Sequence, residues 1–440
     1  MSAVVPESAA QLAAATPDRR DRYVDLIRVV SICAVIVGHW LLAMVTLYGA
    51  GELPFRLPFQ IITWVLQVMP LFFAVGGFAH AMTLASLRRK GGSLGDFYRS
   101  RTARLLPPVL VLLGVWAVLA GVLEAGGWER GPVGLAVDRV TTPLWFIGVY
   151  LMVVLFAPLM EFAHRRFGWG VLAVLVALAI GFDLLEFRYG QLWAGVVNLV
   201  VIWLAIHQLG FFWSDGVLTR GWMPAACAVA GIGVAVTVTY GAHWYPVLMV
   251  GLPGSPASNM APPNMALFAY AIGQLGLVLL VRAPAERWLR RARVWLSVVY
   301  GNGVVMTLFC WHLSAVFVVQ GVLLLIGGKP PAAGTGGWWA ILPLWIVACA
   351  MPLAGLVALF RRAERIPGPP AGGGGAVVAA LGVVLCGVGI FVVSQVGFDG
   401  LFLGRPEEVN GVTPAAWMGV AGLLAGLVLL RIGGGRTAHG

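Results

Sequence analysis

The chain has 440 residues, of which 60% are hydrophobic and only 11% charged, with 29 Lys and Arg against 18 Asp and Glu. Soluble domains carry roughly a quarter charged residues, so this composition and a mean hydropathy of +0.90 exclude an ordinary soluble globular protein. The net charge of +11 would point to nucleic acid in a soluble chain; in a membrane chain it reports orientation.

The expected fold class is all-α, a polytopic membrane helix bundle. A spanning helix needs about 20 apolar residues. Twelve segments meet that requirement, at roughly 26–48, 59–86, 105–123, 143–162, 168–186, 191–213, 222–241, 264–282, 295–326, 338–360, 374–396 and 413–431. The ninth is long and carries Gly301 and Gly303, where a break or a tilt is expected. With the N-terminus in the cytoplasm and the segments alternating, only Arg56, Arg130, Arg139, Arg188, Lys329 and Arg405 of the 29 basic residues fall outside. That bias predicts an N-in, C-in topology.

Residues 1–24 form a cytoplasmic N-terminal tail in this reading. Its first 18 residues are Ala-rich and polar, without the apolar core of a cleaved signal. Residues 25–362 form the membrane domain, 363–375 a Pro/Gly-rich linker around "RIPGPPAGGGG", and 376–440 two additional helices.

The first segment places a histidine deep in an apolar run, in "RVVSICAVIVGHW". Eleven positions separate Arg28 from His39. That spacing turns a helix by about 20° net and lifts it by about 16 Å. Arg28 then lies near the cytoplasmic surface and His39 near mid-membrane, on one face. Asp25 shares that stripe and can pair with Arg28 three residues on. Alone, Arg28 reads either as a snorkelling interface residue or as part of a site. An ionisable group at the depth of His39 faces a bundle interior or cavity by default, and imidazole is the side chain suited to proton transfer near neutral pH. His80, in the second segment, is a candidate to line the same cavity.

Ahead of the third segment stands "GDFYRSRTARLLPP". Arg99, Arg101 and Arg104 cluster there. On a helix, Arg101 and Arg104 sit at i and i+3, able to grip one anion. The other reading is a positive-inside signal shared with Arg88, Arg89 and Lys90. Trp145 and Tyr150 open the fourth segment, either as a stacking platform for a sugar or as part of an aromatic belt. Asp183, Glu186 and Asn198 fall near the outer ends of the fifth and sixth segments, either as contacts for a polar acceptor or, the preferred reading, as solvated caps. The outer loop 242–263 is proline-rich and non-helical. His312, in "CWHLS", either binds a substrate or satisfies a buried hydrogen bond. His164, His207 and His243 lie nearer helix ends or loops and read as ordinary. The five cysteines lie in apolar runs, and their spacing fits neither a disulfide framework nor a zinc site; no metal site is visible.

Several of these stretches resemble one family. "RYVDLIRVVSICAVIVGHW" is similar to the first helix of the acyltransferase-3 family of integral membrane O-acyltransferases, with Arg, ten residues and His, and an Asp three before the Arg. "LFFAVGGFAHA" resembles the family's second helix, "FYRSRTARLLPP" its F-x-x-x-R-x-x-R-x-x-P stretch, "PLWFIGVYLMVVLFAPL" its LWFL helix, and "TLFCWHLSAVFV" its late His-containing helix. The resemblance runs over roughly residues 20–360. It implies transfer of an acyl group, often acetyl, from cytoplasmic acyl-CoA to a hydroxyl of a saccharide or other envelope or secreted acceptor.

By that resemblance His39 is the catalytic histidine and Arg28 its motif partner; His39 either takes the acceptor's proton as general base or briefly carries the acyl group itself, and Asp25 is placed to hold Arg28. Arg101 and Arg104, with Arg99 beside them, meet the donor's phosphates. Acyl-CoA is then a co-substrate, with no bound cofactor. The remaining partners are a saccharide or glycolipid acceptor and the bilayer, with no nucleic acid. The expected location is the cell (plasma or inner) membrane. Tyr150 stands where many members carry a glutamate, and Gly76 where they carry a serine, so the acceptor pocket is expected to be its own. Trp145, Tyr150, His312 and His80 are the candidate acceptor contacts. The competing class is a secondary transporter or flippase of a lipid-linked saccharide. Such proteins often show matching halves, and none is visible here.

Overall fold

The computed structural model describes residues 21–48, 53–127, 132–329, 331–366, 375–398, 401 and 415–432. Most of the tail, and 367–374 of the linker, lie outside them. Among the described residues, extended pairing is limited to two isolated bridges in the loop before Asn264, and the rest of the regular structure is helical.

The helices are, in chain order, α1 Arg22–Tyr48, α2 Leu57–Leu66, α3 Met69–Arg89, α4 Leu94–Ala125, α5 Pro132–Arg139, α6 Trp145–Phe167, α7 Trp169–Tyr189 and α8 Leu192–Ser214. They continue as α9 Met223–Val236, α10 Met265–Leu280, α11 Arg282–Leu289, α12 Ala292–Asn302, α13 Val305–Leu325, α14 Gly336–Phe360, α15 Ala376–Val396 and α16 Ala416–Ile432. All twelve predicted segments have helical counterparts. Among the described residues, ten helical stretches are long and apolar enough to span a membrane; α10 and α11 pass that test only as a pair, bent by 51° at their junction, and α16 has 17 residues. Seventeen residues rise about 25 Å, which lies in the range for a span. The chain is thus an all-α, polytopic membrane protein.

Two predicted segments are interrupted. The second breaks between α2 and α3 at Gln67 and Val68. Pro70 has no N–H and disfavours helix at the residue before it. The carbonyl freed at Gln67 accepts from Gln274 Nε2 at 2.8 Å, and the Gln67 side chain donates to the Met249 carbonyl at 3.1 Å. The ninth breaks at Gly303, between α12 and α13, where the glycines anticipated it.

The helices divide into two compact units that interleave along the chain. The first comprises Met1–Ala81, His164–Val305 and Ala332–Thr335; the second comprises Met82–Ala163, Met306–Pro331 and Gly336–Gly440. In the first unit, α3 and α8 touch at glycines. A β-carbon on Gly77 would lie 2.0 Å from the His207 carbonyl oxygen, and one on Gly210 would lie 2.1 Å from that of Ala74. Only hydrogen fits there. Phe73 stacks on Trp203 beside the crossing, with centroids 4.3 Å apart. Gly210→Ala is therefore expected to cost about 3 kcal/mol, the upper part of the overpacking range, because the obstruction is backbone. A thermal-unfolding midpoint in detergent checks this, and an unchanged midpoint would refute the close crossing.

The outer loop before α10 is non-helical, as its prolines require, yet it is tied down. Trp64 Nε1 donates to the Val247 carbonyl at 2.8 Å, and the Met249 N–H donates to Thr63 Oγ1 at 3.2 Å. The deepest anchor is Asp183. It is 3% exposed and accepts from Asn198 Nδ2 at 2.6 Å, Tyr245 Oη at 2.7 Å and the Met265 N–H at 2.9 Å. Burial first, and the Asp183 charge second, push the Tyr245 hydroxyl well above its ordinary value, so it stays a donor at neutral pH. Asp183 and Asn198 are therefore buried tethers between α7, α8, the loop and α10, rather than solvated caps. A short carboxylate with three donors around it is worth burying only when all three are satisfied. Asp183→Ala strands those donors, at about 3 kcal/mol or more. The expected readout is faster limited proteolysis within 242–264, with Asp183→Asn intermediate.

In the second unit, α15 lies against the start of α6. A β-carbon on Gly148 would meet the Gly387 carbonyl oxygen at 3.0 Å, and Thr141 Oγ1 donates to the Val393 carbonyl at 3.0 Å. Helix α16 packs on α15 through Gly389, Gly419 and Gly426. Small residues let helices approach closely in a membrane.

Candidate active site

Helix α1 runs unbroken from Arg22 to Tyr48, so the stripe read from the sequence exists as a stripe. Asp25 is buried, and its Oδ1 lies 3.5 Å from Arg28 Nη1, with the arginine side chain 29% exposed. The base of α1 is held by α12. Asn302 Nδ2 donates to the Asp25 carbonyl at 3.1 Å, and Gly301 faces Val29 with no room for more than a contact. Further up, His39 is half-buried, and its ring hydrogen-bonds the carbonyl of Val35 one turn below. That bond fixes the ring's orientation. In a neutral imidazole one nitrogen donates, so the other carries the basic lone pair.

His80, in the same unit, is fully buried on α3. Its Nδ1 lies 2.9 Å from Nε2 of His207 on α8. Both histidines are fully buried, and His207 faces its partner from the interior of α8 rather than from a helix end. His164 is likewise engaged. Its Nδ1 accepts from Gln208 Nε2 at 2.7 Å, and its Nε2 lies 2.9 Å from Asp215 Oδ2. These pairs join residues 127, 44 and 51 positions apart. The signal in the sequence was the adjacent polar pair His207–Gln208 inside a mostly apolar helix.

In the second unit the arginine cluster proves to be helical. Helix α4 begins at Leu94, eleven residues before the predicted segment, because Ser93 and Asp96 form a capping box: the Ser93 hydroxyl accepts from the Asp96 N–H at 3.2 Å, and the Asp96 carboxylate accepts from the Ser93 N–H at 3.1 Å. Arg99 is 1% exposed and bound to Asp96 at 3.2 Å, which makes it a structural member of this helix start. Arg101 is half-buried over the Phe97 ring, 5.7 Å from its centroid, and donates to Thr83 Oγ1. Arg104, one turn on, is exposed. The helix thus presents Arg101 and Arg104 as neighbours, one braced and one reaching into the surroundings.

The same unit brings Tyr150 and His312 into one aromatic cluster. Tyr150 on α6 lies 5.9 Å from Phe146, Phe146 lies 5.6 Å from Phe309 on α13, and Phe309 lies 5.9 Å from the His312 ring. His312 is fully buried, with Nδ1 2.5 Å from the Phe309 carbonyl oxygen. Trp145 is half-buried beside Phe146, at 6.4 Å between centroids. Tyr150 is only 8% exposed, so it is an inward residue of α6 and not a belt aromatic.

The family model described as an acyltransferase domain, Acyl_transf_3, matches residues 21–361. No curated protein and no solved structure matches the chain. The match takes in α1 with its Asp25, Arg28 and His39, the capped arginine helix α4, and the cluster joining α6 to α13. It stops before α15 and α16, which lie outside the matched region. The chain belongs to the acyltransferase-3 family and is a multi-pass membrane acyltransferase.

Proposed function

We propose that the protein moves an acyl group, acetyl in the first instance, from cytoplasmic acyl-CoA to a hydroxyl of a saccharide or glycolipid of the cell envelope or of a secreted acceptor, at the cell membrane. The observation that carries the reading is α1. It holds a paired Asp25–Arg28 at its base and an oriented His39 three turns above, in a chain whose family transfers acyl groups. A paired carboxylate and guanidinium fix a cation without wasting it. An imidazole held by its own backbone is a positioned base.

The reaction needs a base and an anion clamp. The acceptor oxygen attacks the thioester carbonyl as its proton passes to the lone-pair nitrogen of His39. The tetrahedral intermediate collapses, the C–S bond breaks, and the proton moves from the imidazolium to the departing thiolate. One ester and one free thiol result, with no net proton change. Arg101 and Arg104 take the phosphates of the donor, while Arg99 keeps the start of α4 in place through Asp96. Trp145, Tyr150 and His312 take the acceptor, with Tyr150 and Trp145 offering ring faces and edges to a sugar. His80 acts from its pair with His207 as a support of α3.

The direct test is calorimetric titration of acetyl-CoA into the protein in nanodiscs, followed by release of free thiol when candidate saccharides are added. Binding together with acceptor-dependent thiol release supports the reading. A folded protein that binds neither acetyl-CoA nor any longer acyl-CoA would remove the donor assignment.

A further inference from the structure

Helices α11 and α12 form an elbow that carries none of the residues assigned above to acyl transfer. Helix α10 ends at Leu280, and α11 then turns by 51° out of its line. The inner side of the elbow is locked onto the base of α1. Leu289 is fully buried and its carbonyl accepts from Arg22 Nη1 at 3.4 Å, the Arg22 guanidinium lies 4.9 Å over the Trp295 ring, and Asn302 Nδ2 donates to the Asp25 carbonyl. The outer side is different. Arg287, Arg290, Arg291 and Arg293 are all exposed within seven residues.

Those four arginines have no ion pair among the described residues. The carboxylates at hand are already taken, because Asp21 and Glu286 both bind Arg282, at 2.9 and 2.7 Å. The negative end of α11 accounts for a single cation at most. Beside them Trp288 is 47% exposed, and an indole in that position suits the headgroup level of a bilayer. A short helix that leaves a spanning helix at its polar end, carries unneutralised guanidinium groups and shows a tryptophan has the chemistry of an interfacial anion site.

We propose that the α11–α12 elbow binds the phosphate headgroups of anionic phospholipids, and that this lipid braces the base of α1. Guanidinium forks match phosphate oxygens in pairs, and the elbow's contacts with Arg22 and Asp25, through Leu289, Trp295 and Asn302, connect the bound lipid to α1.

The test uses the full chain, delipidated in neutral detergent. Native mass spectrometry then counts bound phosphatidylglycerol and phosphatidylcholine in parallel titrations. The wild type is expected to prefer phosphatidylglycerol by at least about tenfold, since one arginine near an anionic surface is worth about fivefold. The variant R287Q/R290Q/R291Q/R293Q is expected to lose that preference, and the four-lysine counterpart to keep most of it. Raising salt from low to high in the wild type alone should lower phosphatidylglycerol retention several-fold, a readout that needs no variant to fold. Equal binding of the two lipids, a preference untouched by salt, or a preference kept by the glutamine variant would overturn the proposal. So would displacement of the lipid by free CoA, which would make the elbow a nucleotide-phosphate site. None of these readouts requires acyl transfer, so the proposal and the reaction assignment fail independently.

Discussion

His39→Ala is expected to lower acyl transfer by about 10²- to 10⁴-fold while leaving acetyl-CoA binding within about twofold of wild type. The magnitude is what a positioned general base contributes. The separation of the two readouts follows from position. His39 is half-buried and its ring bonds the carbonyl of Val35 within its own helix, whereas the donor phosphates are assigned to Arg101 and Arg104, so truncation removes the base and leaves the anion clamp in place. His39→Gln keeps an N–H for the Val35 carbonyl and has no basic nitrogen, so it should be as inactive as the alanine variant. Thiol release against acceptor concentration measures kcat, and calorimetry measures the donor Kd. A His39→Ala enzyme within threefold of wild-type kcat would remove the base assignment. A lost Kd with an intact kcat would move His39 to donor binding.

Arg101→Ala and Arg104→Ala are each expected to weaken acyl-CoA binding by about 10- to 100-fold, with a smaller effect on kcat at saturating donor. A hydrogen bond to a charged partner is worth about 1.5–3 kcal/mol. The two variants differ in what else they disturb. Arg101 lies over Phe97 and donates to Thr83, so its loss also loosens the start of α4. Arg104 is exposed, and its replacement leaves those contacts alone. Arg104→Ala is therefore the cleaner test of the phosphate clamp, and Arg104→Lys should recover part of the affinity, because charge remains and the fork does not. Donor dephosphorylated at its 3′ position would discriminate further: the penalty of Arg104→Ala should shrink if that phosphate is its partner. An unchanged Kd in both alanine variants would return the arginines to the positive-inside signal.

The sequence by itself determined the elements, the family and the placing of two sets of candidate residues on their helices. Twelve apolar segments became helical stretches because a bilayer leaves the backbone no other partner than its own turn. The Asp25–Arg28–His39 stripe needed only 100° per residue to be placed on one face, and α1 is one continuous helix. The i, i+3 relation of Arg101 and Arg104 was legible for the same reason, although the helix starts eleven residues sooner than apolarity alone indicates. Its first two turns are polar and are held by the Ser93–Asp96 cap. The motifs also sufficed to name the family that the match over 21–361 establishes.

Only the tertiary structure decided what each polar residue does inside the apolar mass. His80 and His207 become one pair, Asp183 becomes the anchor of a loop, Arg99 turns inward to Asp96, and Tyr150 joins His312 through two phenylalanines. Apart from the local Arg99–Asp96 pair, these relations span tens to well over a hundred residues of chain, and no local period encodes them. A buried polar group must find a partner wherever one is near in space. In a membrane, hydropathy sets which residues are inside, and the crossing of helices at glycines such as Gly77 and Gly210 sets which of them meet.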